Sequence, residues 1–320
     1  MVFLRNLISD LELEEEFLRN LKHREVEQKF IYLGENAAAY YDTPHLRKKT
    51  QSEYLKRDIT IEERTQFILK RVVPGKKTAL VSLGCGNAMK DVYFLKALKE
   101  VVDCTYFGID SSKEMLTLAK GTLNTEKLRG NLLCADFSSI ELRQELTTLL
   151  KSYDQVLFLF IDYTFNNLIQ TEIVDTLFNL MSPGQLLFLD IPLRPSMKKS
   201  DDLTIFQTYT ELLENKERMK FFLSPITEIG IPIENGSNIL KASYEESLGV
   251  FKLRFSFRIE KATTIQYKGE TIHFLPAEEI KWVNIRFYDY ERFISYLANH
   301  NFTFIESEVV LNQGQFCFQR

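Results

Sequence analysis

Short apolar runs alternate with amphipathic segments between about residue 78 and residue 192. The apolar runs are Ala79–Leu83, Thr105–Ile109, Asn131–Cys134, Gln155–Ile161 and Gln185–Ile191. Segments with the helical period separate them, at 88–100, 112–121, 139–151 and 165–181. Uninterrupted apolar strands that alternate with helices predict a parallel sheet covered on both faces. The predicted fold is therefore a doubly wound, Rossmann-like α/β sheet, which binds ligands at the carboxyl ends of its strands.

A charged, amphipathic N-terminal region precedes this core. Apolar residues at helical spacing predict a surface helix within 9–30, and its acidic run is typical of a solvated face. Thr60 and Glu63 have the spacing of a capping box, which predicts a second helix that begins there and ends before Pro74.

The pattern changes after Pro195. One amphipathic helix is predicted near 203–220, and residues 238–275 then alternate with the strand period, with a tight hairpin turn at 267–270. A last helix, 288–299, and the strands Phe302–Val310 and Gly314–Phe318 are expected to rejoin the main sheet. We therefore predict an N-terminal helical segment (1–72), a core (73–195 plus 284–320) and an inserted α+β lobe (196–283) over the carboxyl edge of the sheet.

Composition narrows the possible functions. The 320 residues are 45% hydrophobic and carry a net charge of -4, which argues against nucleic acid as the main partner. No apolar stretch approaches the roughly 18 residues of a membrane span, and the four histidines show no metal-ligand spacing. The four cysteines are Cys85, Cys104, Cys134 and Cys317. We expect all four to be reduced, which indicates a reducing, cytoplasmic location. The sequence does not indicate an oligomeric state.

A glycine-rich loop follows the first predicted core strand. Gly84 and Gly86 remove side chains where the backbone must turn and approach a ligand. Met89 occupies the place of the third glycine of the dinucleotide fingerprint, which argues against a pyrophosphate. The loop favours a smaller nucleoside ligand, and the structural alternative is a simple tight turn.

Two further strands end in carboxylates. Asp110, at the end of the second, is placed to accept hydrogen bonds from ribose hydroxyls. Asp136, at the end of the third, can accept from an adenine amino group, while the backbone N–H of Phe137 donates to a ring nitrogen. Successive strand ends thus carry the features of an adenosine site.

These motifs resemble those of the histidine-specific, S-adenosylmethionine-dependent methyltransferases of ergothioneine biosynthesis. The resemblance spans roughly 36–320 and rests on Ser82–Lys90, Tyr106–Asp110, Ala135–Phe137 and Leu159–Leu168. It implies a class I methyltransferase with S-adenosyl-L-methionine as cofactor and a small-molecule amine as substrate. The implied cofactor contacts are Gly84, Gly86, Lys90, Asp110, Asp136 and Phe137.

The resemblance also implies substrate contacts at Tyr41, at Asn167 and at Tyr209 in the insertion. A Glu-x-Ser unit holds histidine in that family, and the corresponding positions here are Trp282 and Asn284. Because an indole replaces the carboxylate, we expect an acceptor other than histidine. Trp282 can stack on a cationic or aromatic substrate, or it can be a core residue.

Asp162 and Tyr163 follow the fourth core strand and are the predicted catalytic residues. A sulfonium methyl is already activated, so alignment supplies much of the rate enhancement, and Asp162 would hold an ammonium and take its proton. A helix cap or loop role is the alternative for Asp162. Three functions remain open: a small-molecule N-methyltransferase, a macromolecule methyltransferase, and a silent cofactor-binding scaffold.

Overall fold

The computed structural model describes residues 1–34, 59–161, 164–194 and 199–320. The predicted site residues Tyr41, Asp162 and Tyr163 lie outside these ranges. Within them, no helix is long and apolar enough to cross a membrane.

An eight-stranded, mostly parallel sheet forms the centre of the protein, with the order β1-β4-β3-β2-β5-β6-β13-β12. The alternation of core strands and helices predicted above is confirmed, with strand ends shifted by about one residue. β13 runs antiparallel to β6 and β12, whereas β1 to β6 pair in parallel. The strands are β1 Val2–Asn6, β2 Thr78–Leu83, β3 Cys104–Asp110, β4 Gly130–Cys134, β5 Gln155–Phe160, β6 Leu186–Pro192, β12 Thr303–Val310 and β13 Gln313–Gln319.

Helices cover both faces of this sheet. Apolar residues of α2, α3 and α4 pack on one face, and those of α5, α7 and α10 pack on the other. The predicted helix 165–181 is broken in two at Leu168 and Ile169. The helices are α1 Asp10–His23, α2 Ile61–Leu69, α3 Asp91–Lys99, α4 Lys113–Thr125, α5 Ile140–Leu150, α6 Thr164–Asn167, α7 Gln170–Leu180, α8 Lys199–Leu213, α9 Lys216–Thr227 and α10 Tyr290–Asn299.

The insertion contains an antiparallel sheet with the order β11-β8-β7 and a separate hairpin, β9-β10. The expected hairpin turn is confirmed, because Lys268 and Gly269 both have positive φ angles, 51° and 78°. The predicted helix 203–220 is instead two helices, α8 and α9, since Asn215 caps the start of the second. The strands are β7 Gly236–Glu245, β8 Val250–Ile259, β9 Thr263–Tyr267, β10 Glu270–Phe274 and β11 Glu279–Tyr288.

The three-stranded sheet lies at the carboxyl ends of the parallel strands. The Arg286 guanidinium donates to the carbonyl of Asn166, which follows β5, at 3.4 Å. Leu193, just after β6, forms a bridge with Tyr288 at the end of β11. The predicted lobe boundary at 283/284 falls inside β11, which continues without a break to Tyr288; the division into domains stays a prediction.

The N-terminal region differs from the expected purely helical segment. Val2–Asn6 adds a parallel edge strand beside β4, while α1 buries Leu13, Phe17 and Leu21. A 3-10 helix, Gln28–Tyr32, follows, and Val26 donates its N–H to the carbonyl of Lys281 at 2.7 Å. The N-terminal region therefore joins the edge of the main sheet to the lobe.

Candidate functional site

The glycine loop leaves β2 in a conformation that needs glycine at two positions for different reasons. Gly84 has a φ of +71°, and a Cβ there would lie 2.4 Å from the Thr164 Cγ2 atom. Gly86 has a φ of +52°, but a Cβ there would meet nothing within 4 Å. Gly84 therefore permits close packing of α6, whereas the open space beside Gly86 lets a ligand approach the backbone.

Asp110 fixes this loop to the end of β3. Its two carboxylate oxygens accept hydrogen bonds from the backbone N–H groups of Gly86 at 2.9 Å and Ser112 at 3.0 Å. Burial raises the pKa of Asp110, and these backbone hydrogen bonds only partly offset that rise. The Ser112 side chain caps the start of α4. The carboxylate retains acceptor capacity for ribose hydroxyls.

Asp136 has a partner that the sequence did not indicate. The Lys29 ammonium, from the N-terminal 3-10 helix, donates to its Oδ2 atom at 2.6 Å. Its Oδ1 atom accepts from the backbone N–H of Ser138 at 2.9 Å and from the Ser138 hydroxyl at 2.6 Å. A carboxylate offers about four acceptor positions. Three are used by these donors, which leaves about one for an adenine amino group.

The environment of Lys29 keeps this pair ionised. Lys29 also forms ion pairs with Glu16 and Glu27, and its side chain is 15% exposed. Burial alone raises the pKa of Asp136, but the charge and hydrogen bonds of Lys29 and those of Ser138 bring it below its ordinary value. Burial lowers the pKa of Lys29, yet the surrounding carboxylates raise it overall. Asp136 is therefore a fixed anion at the end of β4.

Phe137 and Lys90 complete the predicted cofactor set. The Phe137 ring packs edge-on against Phe160, with centroids 5.7 Å apart. No hydrogen bond within the described ranges uses its backbone N–H, which suits donation to a ring nitrogen. Lys90 directly precedes α3, whose first residue, Asp91, is 3% exposed.

Asp91 is a supporting residue that the sequence reasoning missed. Its carboxylate accepts from the Tyr106 hydroxyl at 2.6 Å and from the Ser82 hydroxyl at 3.1 Å. These bonds fix the start of α3 to β2 and β3 beneath the glycine loop. An acidic residue in the first turn of the helix after the loop was the available signal.

The acceptor side of the site begins at α6, after β5. Asn167 is half-buried there, and its neighbour Asn166 is fully buried. Neither amide atom of Asn166 has a hydrogen-bond partner among the described residues. Opposite, the half-buried Asn284 on β11 accepts from the Arg254 Nε atom at 3.2 Å.

The other two predicted substrate residues lie elsewhere. A bulge between Lys281 and Val283 makes Trp282 the extra residue of β11, and Trp282 is 2% exposed in the apolar core of the lobe. Its ring contacts Phe222, with centroids 6.3 Å apart. Tyr209 packs in the same core, with its ring centroid 5.9 Å from that of Phe287. Trp282 and Asn284 do not share a face, because the bulge changes which face of β11 Trp282 occupies.

The described residues fit an adenosine ligand. The Asp110 carboxylate, beside the open space at Gly86, suits the ribose hydroxyls. The Asp136 carboxylate and the N–H of Phe137 suit the adenine. They occupy the ends of β2, β3 and β4, where a doubly wound sheet binds its ligand.

The chain is similar to known proteins in sequence and in structure. A methyltransferase from Clostridium acetobutylicum, described as S-adenosylmethionine-dependent, is 13% identical, with 88% of this chain and 98% of that chain covered and a TM-score of 0.47. An amino pentose methyltransferase from Micromonospora echinaspora, solved with S-adenosylmethionine, is 14% identical, with 84% and 95% covered and a TM-score of 0.38. No curated protein matches the chain. The profile of the histidine-specific, S-adenosylmethionine-dependent methyltransferases matches residues 54–310, so this chain belongs to that family of enzymes, has a class I methyltransferase fold and uses S-adenosylmethionine as its cofactor.

Proposed function

We propose that the enzyme methylates a nitrogen atom of a small amino acid or related amine other than histidine. The observation that carries this proposal is the Asn284–Arg254 hydrogen bond on the acceptor side of the site. At the two positions where the sequence comparison expects a carboxylate and a hydroxyl for histidine, this chain has Trp282, which packs in the core, and Asn284, which is bound to a cation. An imidazole would lose its charged partner there, which costs about 1–3 kcal/mol for a buried polar group.

The cofactor supplies the reactive group, and the chain orients it. Bound S-adenosylmethionine supplies an activated methyl group, so the chain needs no covalent nucleophile. Asp110 and Asp136 fix the orientation of the adenosine half, and the Lys29 ammonium holds Asp136 in place. Orientation of this kind can supply a large part of a rate enhancement.

The proton of the acceptor ammonium needs a base. On the sequence argument we assign this role to Asp162, with Tyr163 beside it, because both lie between the end of β5 and Asn167. A positioned base typically contributes about 100- to 10,000-fold to the rate. The acceptor nitrogen would then be deprotonated between the end of β5 and the cofactor methyl.

The proposed partner is a small molecule and not a nucleic acid, consistent with the net charge of -4. The test is a panel of amino acids and biogenic amines, read out as release of S-adenosylhomocysteine. We expect turnover of at least one amino acid, with a higher kcat/KM than that of histidine. Turnover only with protein or nucleic acid would contradict the proposal, as would tight cofactor binding with no turnover of any amine.

A further inference from the structure

Three cationic side chains lie together on one face of the three-stranded sheet. Arg254 on β8 is directly opposite Asn284 on β11, and Lys252 is directly opposite Arg286. Residues two apart on a strand share a face, so Lys252, Arg254, Asn284 and Arg286 form one patch, here called the cationic face. Arg286 reaches from it to the carbonyl of Asn166, next to the predicted substrate contact Asn167.

The cations of the cationic face have few carboxylates close to them, although they are partly or fully buried. Arg286 is 5% exposed, yet no carboxylate of the described residues lies within 4 Å of its guanidinium. Among the carboxylates of the described ranges, Lys252 has a single long contact, to Glu245 at 3.5 Å. By contrast, Arg258 and Lys241, on the exposed part of the same sheet, both pair with Glu279. A buried cation is costly unless an anion pairs with it, so an anionic ligand would stabilise this face.

Electrostatics and hydrogen bonding support the same reading. Burial, followed by the charges of Arg286 and Arg254, lowers the pKa of Lys252. Burial also lowers the pKa of Arg286, despite the opposing effects of Tyr288, Glu245 and Glu172. Around this patch, the Ser256 hydroxyl, the Tyr288 hydroxyl and the Asn166 amide are buried without partners among the described residues. Buried polar groups normally have partners, so these groups, which flank the three cations along the sheet, favour a binding site there.

We infer that the cationic face binds the carboxylate of the methyl acceptor, with Arg286 as its main contact and Arg254 and Lys252 as supporting charges. The planar guanidinium donates two parallel hydrogen bonds to a carboxylate. This inference rests on the proposed function and sharpens it: the acceptor is an amino acid that enters with its carboxylate toward β11 and its amine toward β5 and the cofactor. Asn284 then orients Arg254 and does not contact an imidazole.

The test measures binding and not turnover. The full-length protein, saturated with S-adenosylhomocysteine, is titrated calorimetrically with each amino acid of the panel and with the matching carboxamide. We expect at least one amino acid to bind about 10- to 100-fold more tightly than its amide, the range for a charged hydrogen bond. Arg286→Gln should reduce that ratio to near one, whereas Arg258→Gln, on the same strand face but paired with Glu279, should leave it unchanged.

A second variant guards against a folding artefact. Arg286→Met should raise the Tm of the cofactor-free protein by about 2–4 °C, because it removes a buried cation without a counter-charge, while it weakens amino acid binding. Arg254→Gln should weaken binding to a smaller extent. Equal binding of acids and amides, a ratio unchanged in Arg286→Gln, or a preference for phosphate monoesters over every amino acid would overturn the inference. Since cofactor turnover is not involved, carboxylate binding without methylation would contradict the proposed function and leave this subsite standing.

Discussion

The cofactor side and the acceptor side of the site differ in how their charged groups are satisfied. Asp110 and Asp136 both accept hydrogen bonds from groups of the chain itself. On the acceptor side, Arg286 has one long hydrogen bond, and the Asn166 amide has none among the described residues. The polar groups of the proposed cofactor side therefore have partners within the chain, whereas the Asn166 amide on the proposed acceptor side has none among the described residues.

This difference separates what the family shares from what distinguishes this member. A preorganised cofactor site suits one invariant ligand, because no reorganisation is needed when it binds. An acceptor wall with buried, unpartnered groups discriminates strongly between ligands, since a wrong ligand leaves those groups unpaired. We therefore expect the choice of acceptor to depend on the lobe.

The largest expected effect is on catalysis. Asp162→Asn should lower kcat by about 100- to 10,000-fold, because it removes the proposed base, while the Kd of S-adenosylhomocysteine stays unchanged. Asp175→Asn, at an exposed position of α7, is the matched control. Single-turnover kinetics with the best amine of the panel measure the effect, and a kcat within threefold of wild type would remove Asp162 from the proposed mechanism.

The next effect distinguishes the two glycines of the loop. Gly84→Ala should destabilise the protein by about 2–5 kcal/mol, because it adds a left-handed backbone cost to a clash with Thr164. Gly86→Ala should cost only the backbone term, about 1–2 kcal/mol. Urea unfolding of both variants, and of Gly84→Ala combined with Thr164→Ala, measures the difference. Equal costs, or no partial recovery in the double variant, would contradict the packing role given to Gly84.

Asp110 tests the cofactor half directly. Asp110→Ala should weaken S-adenosylhomocysteine binding by about 1.5–3 kcal/mol, because it removes charged hydrogen bonds to the ribose. Asp103→Ala, in the exposed loop before β3, should leave the affinity as it is. Isothermal titration calorimetry gives both values, and an unchanged Kd in the Asp110 variant would refute the assignment.

The smallest expected effect concerns Lys29. The pKa of Asp136 is lower in the folded protein than its ordinary 3.8, so the unfolded chain binds more protons in acid. The resulting stabilisation is present above about pH 4 and is lost as the pH falls further. Lys29→Met should therefore lower the free energy of unfolding at pH 7 by about 1–3 kcal/mol and flatten its fall in acid.

Lys113→Met is the control for Lys29, because the Lys113–Asp10 pair is largely exposed and such pairs contribute about 0–1 kcal/mol. Unfolding curves at several pH values measure both variants. An acid dependence in Lys29→Met that matches the wild type would show that this ion pair does not hold Asp136.

The positions of the proposed cofactor residues were largely predictable because their determinants are local. Gly84, Asp110 and Asp136 each stand at the end of an apolar strand or within two residues of it, so the apolar runs indicated their place. The Lys29–Asp136 pair was not predictable, since its members are 107 residues apart. The strand β1 was not predicted either. Only Val2 of its five residues is buried, so its sequence shows no apolar alternation.

The acceptor half was less predictable because one irregular residue changes the face that a side chain occupies. The sequence placed Trp282 and Asn284 together, two apart on a strand, but the bulge at Trp282 separates them. The cationic face needs the pairing of β8 with β11, which the sequence pattern does not specify. Strand alternation in 250–259 was visible in advance, whereas its partner and register were not.

The choice of acceptor tests the account most directly. The measurement compares the kcat/KM of histidine with that of every other amino acid in the panel. Release of S-adenosylhomocysteine is the readout. We predict that at least one other amino acid has a higher kcat/KM than histidine. If histidine instead gives the highest kcat/KM of the panel, the reading of Trp282 and Asn284 is wrong and the acceptor site serves the substrate after which the family is named.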